Sequence, residues 1–541
     1  MSDQPSLATP LSSVWANRKC FLVCCLVSMA NLEYGLDSGV IGTLQAIPGF
    51  LAVFGYPDQF IPGGYGLNAS KTNTTKQSTF QQLITSLPIL GGLISSLASG
   101  LLSTYVGRRP GLWIACLFTL IGVAIQMSTD NKGAIYLGRF VLGLGNGFLQ
   151  TFSNIYCAEV APAHLRAIMV GLSTEWILIG SILAAAITNA TQVRLDKSSF
   201  QIPLGVLLVL PVVLAVGLFF VPETPRYLID RGQSGAARRA LEMLRGSSLR
   251  PEELELEFVE MVKGIEEEKR LAGTLGPLDV FRETDRRRTL LCLGVSTADS
   301  GGSGAWFLIP YVTYFMLISG VPVRDVFHYY IINTCLGLVV CNAGLFLMRH
   351  VCGRRTFLML GAALNGLCML GLAVSSTVVT SPDTARACLV AFVSLFLIVY
   401  SLATGVATRP VATELVSTRL RAWSFGLTVA VGHLNIWLVS FCTPYFINPE
   451  NLHWGGKYGY IWTASNLICL VWYYFFVPEM KGRSLEEIDE LFEKRVATLD
   501  FKGFQTGIRE EAVRDIQSGG HRDAGGETKS EPAVAVQEHQ E

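Results

Sequence analysis

Charged residues are scarce in this chain of 541 residues, where Asp, Glu, Lys and Arg together make up 16%. A soluble domain needs about a quarter charged residues because its surface faces water. The charges also cancel, since 42 basic residues face 42 acidic ones. The composition therefore argues against an ordinary soluble protein and gives no sign of a nucleic-acid partner.

Signatures of catalysis are missing as well. The sequence shows no nucleophile–base arrangement, no phosphate-binding loop and no metal-ligand spacing. We therefore expect neither an enzyme nor a bound cofactor or metal. The 13 Cys residues lie mostly within apolar runs, without the spacing of a disulfide framework, and are predicted to be small buried hydrophobic residues.

Long apolar runs are what the chain has in abundance, since half of its residues are hydrophobic. A run of about 20 residues crosses the hydrocarbon core of a bilayer. Lipid offers no partner to a backbone N–H or C=O, so each run must be helical. The predicted spans are residues 20–44, 80–102, 111–129, 134–157, 168–190, 203–221, 289–318, 326–348, 357–378, 386–408, 423–446 and 458–477.

The runs form two groups of six, which predicts an all-α membrane protein with two six-helix bundles. The predicted order is a cytosolic N-terminal segment (1–19), an N-terminal bundle (20–221), a cytosolic linker with short helices (222–288), a C-terminal bundle (289–477) and a cytosolic tail (478–541) that is largely disordered after about residue 498.

Basic residues predict the orientation, because the cytosolic loops of membrane proteins are enriched in Lys and Arg. They fall on the side that holds both termini and the charged segment 222–288, so that side is predicted to be cytosolic. The opposite loops carry N-glycosylation patterns. These patterns begin at Asn68, Asn73 and Asn189.

An internal repeat is the most specific signal in the chain. Three motifs recur in the same order at a spacing of 246 to 256 residues, each at the predicted cytosolic end of the matching helix. Parallel repeats of this kind are typical of a transporter whose halves rock about a site near the membrane midplane. The paired segments are 107–109 with 353–355, 159–167 with 414–422, and 222–223 with 478–479.

Residues 20–495 resemble a sugar porter of the major facilitator superfamily, of the fungal type. The resemblance implies the fold of that superfamily, with twelve transmembrane helices in two six-helix bundles, and transport of a small molecule across the lipid bilayer. One departure is Thr104-Tyr105, which stands where the family usually has Asp-Arg. The motifs that carry the resemblance are Gly35-Leu36-Asp37-Ser38-Gly39, Gly107-Arg108-Arg109, Gly138-Arg139, 156–162, 222–226 and 478–487.

Asp37 lies well inside the first predicted span, where an unpaired carboxylate costs several kcal/mol. It must be paired, protonated or in contact with water. The resemblance names Arg139 in the fourth helix as its partner and implies that protonation of Asp37 couples proton movement to substrate movement. The alternative is a static pair that fixes helix packing.

The resemblance also implies a salt-bridge cluster that closes a cytosolic gate. Ion pairs that are partly exposed are individually weak, so a network of them suits a switch. The alternative is that the arginines only set the topology. The predicted gate residues are Arg109, Glu159, Arg166, Arg355, Glu414 and Arg421.

The family's sugar pocket is altered. Sugar porters hold hydroxyl groups with Gln and Asn amides, which both donate and accept hydrogen bonds, yet the matching positions carry other residues and new charges. We predict that Arg409 faces a substrate carboxylate; alternatively, it pairs with Asp299 or Glu175 or lies at the cytosolic rim. The predicted pocket residues are Thr174, Glu175, Thr297, Asp299, Ser303, Arg409 and Asn435.

The sequence thus predicts a secondary transporter, proton-coupled, for a small polar non-sugar or specialised metabolite. Its partners are a small-molecule substrate, protons and the lipid bilayer. The alternatives are an ordinary monosaccharide or polyol uptake symporter and a non-transporting nutrient sensor on the same fold. We expect the plasma membrane as its location, with the vacuolar membrane as the alternative.

Overall fold

The computed structural model describes residues 17–57, 65–66, 78–162, 165–246, 250–272, 277–416, 420–448, 451–481 and 485–504. Two of the predicted glycosylation sites, Asn68 and Asn73, lie outside these ranges. So does most of the tail that is predicted to be disordered.

Twelve long helices follow one another in the described ranges, at the positions that the apolar runs predict. Nine are long and apolar enough to cross a membrane, and a bent pair makes a tenth; the fourth and twelfth are less apolar. They are α1 (Arg18–Leu44), α2 (Ser78–Val106), α3 (Arg108–Met127), α4 (Lys132–Val160), α5 (Arg166–Thr191), α6 (Ser198–Phe220), α7 (Asp285–Leu308 and Val312–Ile318), α8 (Val323–His350), α9 (Arg354–Val378), α10 (Pro382–Leu415), α11 (Arg421–Ile447) and α12 (Gly459–Phe476).

Small residues let the helices of the first half approach closely. A Cβ on Gly35 of α1 would overlap the backbone of Ile177 in α5, and one on Gly143 of α4 would overlap Pro88 in α2. Helix association in lipid depends on such packing, because lipid tails are as apolar as the side chains. Glycine at these two positions therefore sets the distance between α1 and α5 and between α2 and α4.

Two helices of the second half are irregular where they pass the middle of the molecule. In α7 a π-helical turn, Ala298–Gly302, precedes a break at Pro310 where the axis bends by 46°. In α10 a π-helical turn covers Tyr400–Thr404. The apolar run 289–318 predicts a span here, and the structure adds that the span is bent, because Pro310 offers no N–H to the helix.

Shorter helices cover the end of the bundle that carries Arg108, Glu159, Arg354 and Glu414, here called the charged end. Ser234–Arg245 and Pro251–Ala272 belong to the predicted linker, and Leu485–Glu493 follows α12. The last carbonyls of a helix have no partner within it. In this protein side chains of neighbouring segments bind them at the end of both α4 and α10.

Arg245 and Arg288 make these contacts in the same way. Arg245 donates to the Val160 carbonyl at the end of α4 (3.0 Å), and Arg288 donates to the Leu415 carbonyl at the end of α10 (2.8 Å). Each arginine also forms an ion pair, with Glu257 and Asp489 respectively. In both halves an arginine that is paired with a carboxylate of a short helix thus binds the end of the fourth helix, although Arg245 itself lies on a short helix and Arg288 lies on α7.

The opposite end, here called the far end, is where α1 ends and α2 begins. Its amides form a chain of hydrogen bonds that crosses between the halves. Gln81 donates to Gln45 (2.9 Å), Asn448 donates to Gln81 (3.0 Å), and the Tyr314 hydroxyl donates to Asn448 (3.0 Å). An apolar cluster that also draws on both halves surrounds these amides, so the two halves are joined tightly at the far end.

A short helix, Pro48–Phe54, follows α1 at this end. Beyond it Tyr56–Pro57 and Tyr65–Gly66 form a pair of two-residue antiparallel strands. Phe50 and Phe54 pack their rings against Phe200 at the start of α6. The far end is therefore capped by aromatic packing within the first half.

Candidate functional site

A central cavity lies between the two halves. The first half contributes side chains of α1, α2 and α4, and the second contributes α7 at its break and α11. Its lining is mixed, with apolar, amide and charged groups. The lining residues are Tyr34, Asp37, Ser38, Ile41, Thr85, Pro88, Ile89, Gly92, Arg139, Gly143, Asn146, Gly147, Gln150, Trp306, Ile309, Pro310, His433 and Ile436.

Asp37 and Arg139 form an ion pair in the wall of this cavity, with Nη1 of Arg139 2.5 Å from Oδ1 of Asp37. Asn146 donates to the other oxygen of Asp37 (3.2 Å), and Nε of Arg139 donates to the Ile84 carbonyl (3.0 Å). Both charged residues are buried, at 3% and 2% exposure. The predicted contact is present, and it ties α1, α2 and α4 together.

The predicted pocket residues of α7 lie beside the cavity rather than in its lining. Asp299 sits in the π-helical turn of α7 and accepts a hydrogen bond from the Tyr400 hydroxyl of α10 (3.2 Å). Thr297 accepts from Nδ2 of Asn435 in α11 (3.1 Å). The two irregular helices are thus connected at their π-helical turns, where such turns often mark functional sites.

Three other predicted pocket residues lie away from the central cavity. Ser303 is buried and donates to the carbonyl of Asp299 (2.6 Å) within α7. Glu175 of α5 accepts from Asn342 of α8 (3.3 Å), at a contact between the halves. Thr174 precedes it on α5 and is half-buried. The structure does not bring Thr174, Glu175 or Ser303 into the lining of the central cavity.

Arg409 is the exposed cation of α10, six residues before Leu415 at the end of that helix. It lies within electrostatic reach of Tyr34, Asp299 and His433, which belong to three different helices. No described carboxylate is within ion-pair distance of its guanidinium. Its predicted pairing with Asp299 or Glu175 is therefore not formed in this structure.

The charged end of the first half contains a compact cluster. Arg108 donates to Glu159 through Nη2 (2.7 Å) and Nε (3.2 Å), and the Thr224 hydroxyl donates to the other oxygen of Glu159 (2.7 Å). Glu223 accepts from the backbone N–H groups of Arg108 and Arg109. The cluster therefore fixes the ends of α3 and α4 to the start of the linker.

The second half repeats this cluster with fewer contacts. Arg354 forms an ion pair with Glu414 at 2.5 Å, and Glu479 accepts from the backbone N–H of Arg354 (3.0 Å). Oε2 of Glu414 is buried and has no hydrogen-bond partner. The Arg108–Glu159 and Arg354–Glu414 ion pairs each join two members of the same half.

The gate prediction named the second arginine of each Gly-Arg-Arg motif, and the structure gives the ion pairs to the first. Arg109 donates to the Leu218 carbonyl (2.8 Å) and lies over the Trp113 ring, while Arg355 donates to the Tyr474 carbonyl. Successive residues of a helix point about 100° apart. One arginine of each pair therefore faces the glutamate, and the next faces the neighbouring helix.

The remaining predicted residues are two of the gate and one of the glycosylation sites. Arg166 begins α5 and is exposed, whereas the side chain of Arg421 lies outside the described part of the chain. Asn189 belongs to the last turn of α5 and accepts from Gln192 (2.7 Å). Glycosylation sites are surface loops, so a half-buried helical Asn189 is a poor acceptor.

Glu33 is a residue that sequence reasoning missed. It lies on α1 four residues before Asp37 and is buried at 1% exposure. Neither of its carboxylate oxygens has a hydrogen-bond partner. The spacing carried the signal, because residues four apart share a face of a helix.

Twelve helices in two bundles around a central cavity define a transporter of the major facilitator superfamily fold. The structure superimposes on the partially occluded inward-open conformation of the xylose transporter XylE from E. coli with a TM-score of 0.68 and 18% sequence identity. The match covers 86% of this chain and 100% of that one. The fold that the sequence predicts is confirmed.

The chain belongs to the sugar (and other) transporter family, whose model matches residues 23–492. It is 28% identical over 484 residues to the major facilitator-type transporter ecdD of Aspergillus rugulosus, with 87% of each chain covered. It is 27% identical over 489 residues to the low-affinity glucose transporter HXT4 of Saccharomyces cerevisiae, which covers 88% of this chain and 81% of that protein. The predicted family is confirmed.

Proposed function

We propose that this protein is a proton-coupled secondary transporter whose central site takes a small polar metabolite with an acidic group. The observation that carries the coupling is the buried Asp37–Arg139 ion pair in the cavity wall. Protonation of Asp37 removes its charge and releases the guanidinium of Arg139. Because Arg139 also binds the Ile84 carbonyl of α2, that release loosens three helices that line the cavity.

Coupling follows because intramembrane carboxylates in transporters serve as proton relays. A proton that enters from one side favours the neutral form of Asp37, and substrate in the cavity then crosses with the rearranged helices. XylE, the fold relative, is described as a proton:xylose symporter, which supports this assignment. The contact to Asn146 holds Asp37 in place in either protonation state.

The acidic character of the substrate rests on the second half. Asp299 is engaged by the Tyr400 hydroxyl, and Arg409 is exposed with its donors available. A guanidinium presents a fork of N–H donors that matches a carboxylate. The family's sugar-binding amides are replaced by Thr174, Thr297 and Ser303, which supports a non-sugar substrate.

Three further assignments belong to this proposal. The charged end faces the cytosol, with both termini on that side, in the plasma membrane or the vacuolar membrane. The clusters around Glu159 and Glu414 act as the cytosolic gate, and they exchange partners across the halves when that end closes. The bundles cover 20–221 and 289–477, separated by the linker.

The test is transport by the purified chain in liposomes under an imposed pH gradient. Glucose, xylose and a panel of small carboxylic acids are offered as labelled solutes. We expect an acid to accumulate against its gradient and to lose that accumulation when a protonophore is added. Glucose uptake at the rate of HXT4 in the same liposomes would refute the acidic substrate, and accumulation that persists with the protonophore would refute the coupling.

A further inference from the structure

A second carboxyl group lies beside the coupling pair, on the same helix. Glu33 precedes Asp37 by one helical turn and is buried at 1% exposure, with both oxygens unpartnered. Buried polar groups without a partner are rare in native proteins, and each requires an explanation. Neither the family's motifs nor the ion pair of Asp37 accounts for a glutamate at this position.

Among the residues that the structure describes, no cation is free to pair with Glu33. The positive charge at this level, Arg139, is held by Asp37. Between Arg139 and Tyr156 α4 has no titratable side chain, and α2 and α6 have none along their membrane spans. Titratable residues on the helices packed around this part of α1 include Tyr34, Asp37, Cys116, Arg139 and Glu175, while Arg409 of α10 is within electrostatic reach of Tyr34 but not of Glu33.

Each of these residues leaves Glu33 without compensation. Tyr34 lines the central cavity, Glu175 contacts Asn342 of α8, and Cys116 of α3 is a buried neutral thiol. An ionised carboxylate with no partner in an apolar interior costs several kcal/mol. Glu33 is therefore held as a neutral acid while Asp37 is ionised.

We propose that Glu33 is a second proton-binding site, which receives the proton that leaves Asp37. In this step the O–H bond of the Asp37 carboxylic acid breaks and an O–H bond forms on the carboxylate of Glu33. Asp37 becomes ionised and pairs with Arg139, which is the arrangement in this structure. The inference rests on the proton coupling proposed above and adds a site to it.

Polar side chains continue from Glu33 toward the charged end along the seam between α1 and α4. Asn31 donates to the Ser153 hydroxyl (2.9 Å), and one turn further the Ser28 hydroxyl lies 3.2 Å from the sulfur of Cys157. The seam ends at Cys20, whose thiol contacts the Val160 carbonyl at the charged end. Glu33 thus lies between Asp37 and a polar seam that leads to the charged end.

Infrared difference spectroscopy of the full chain in lipid, recorded through a pH titration, tests this inference without any substrate. A protonated carboxylic acid has a C=O stretch that a carboxylate lacks. We expect Glu33→Gln, an isosteric change, to remove one such band from the wild-type spectrum. The exposed Glu252→Gln should leave it in place, and Glu33→Asp should restore a band.

A second experiment tests whether Glu33 and Asp37 exchange a proton with each other. Asp37→Asn removes the neighbouring negative charge and leaves Arg139 without its carboxylate. Both effects favour an ionised Glu33, so its band should disappear at a pH lower by about one unit. A full band in Glu33→Gln, or an unchanged titration in Asp37→Asn, would overturn the inference.

The two proposals fail in distinguishable ways. If Asp37→Asn retains accumulation driven by a pH gradient, the coupling role of Asp37 is lost, whatever the spectra show. If that variant loses accumulation but the band of Glu33 does not respond to it, the coupling stands and Glu33 is a static buried acid.

Discussion

The two halves of the molecule are alike at the charged end and different at the middle. Both halves place a carboxylate within their first helix, Asp37 in α1 and Asp299 in α7, and an arginine within their fourth, Arg139 in α4 and Arg409 in α10. In the first half Asp37 and Arg139 are bonded to each other. In the second half Asp299 is held by Tyr400 instead, and Arg409 stays exposed.

Under the proposed function, this difference is a division of tasks between the two bundles. The clusters of Arg108 with Glu159 and of Arg354 with Glu414 repeat because both halves must hold their helix ends together. At mid-membrane, a closed pair suits a switch operated by a proton. An arginine that is held apart from the nearby aspartate is available to a ligand.

The largest effect is expected from Asp37→Asn. Without an ionisable group, the proton has no site that controls Arg139, so accumulation driven by a pH gradient should be abolished while substrate exchange continues. Exchange is measured with substrate on both sides of the liposome membrane, and accumulation is measured with substrate on the outside only. Undiminished accumulation would remove Asp37 from the coupling role and would make the halves more alike than proposed.

The next largest effect is expected from Arg409→Gln. Hydrogen bonds to charged groups contribute about 1.5–3 kcal/mol, so the affinity for an acidic substrate should fall about 10- to 100-fold. Arg409→Lys keeps the charge but loses the fork of donors, so its affinity for the acidic substrate should lie between those of the wild type and Arg409→Gln. Equal affinity in all three proteins, measured by competition for uptake, would show that Arg409 is not a ligand.

The charged clusters should differ in strength despite their similar layout. Glu159 accepts from both Arg108 and Thr224, whereas one oxygen of Glu414 has no partner. Glu159→Gln should therefore destabilise the protein by about 2 kcal/mol and Glu414→Gln by about 1 kcal/mol. Thermal unfolding of the two matched variants in the same lipid measures this, and a larger loss for Glu414→Gln would reverse the comparison.

The smallest effect is expected in the pH dependence of stability, through Glu223 of the cluster in the first half. Burial raises the pKa of the Glu223 carboxyl above its ordinary value, against the lowering effect of the backbone N–H donors of Thr224 and Arg109. A raised pKa in the folded state contributes stability at low pH that is lost as the pH rises through that pKa. Glu223→Gln should therefore gain in unfolding temperature relative to wild type from acid to neutral pH.

That prediction has a simple control. The equivalent substitution in the second half is Glu479→Gln. Like Glu223, Glu479 accepts from the backbone N–H of an arginine, Arg354. Both variants keep an oxygen that accepts from the backbone. If the unfolding temperature of Glu223→Gln is below that of the wild type by the same amount at every pH, the charge of Glu223 is favourable throughout. The predicted sign of the pH dependence is then wrong.

The positions of the twelve helices could be predicted from the sequence, because the bilayer itself imposes their length and apolarity. An intramembrane charge requires a partner, and the resemblance to sugar porters named Arg139 as the partner of Asp37, which is the contact that the structure shows. The helices α4 and α12 were also predicted from the length of their apolar runs, although they are less apolar than the others.

Details that depend on side-chain direction were beyond the sequence. The Gly-Arg-Arg motif does not say which arginine faces the glutamate, and Arg108 rather than Arg109 does so. The break of α7 at Pro310 was lost within a continuous apolar run. Glu33 was overlooked because motif reasoning stopped at Asp37, although a carboxylate inside a span is exceptional on any helix.

The amide chain at the far end, from Gln45 through Gln81 to Asn448, has a consequence for the speed of the cycle. Amides bind water about as well as they bind each other, so separating them changes the net free energy little. The separation nevertheless requires water to enter between the helices. The rate at which the far end opens should therefore depend on hydration, and osmotic stress should slow it without shifting the resting equilibrium far.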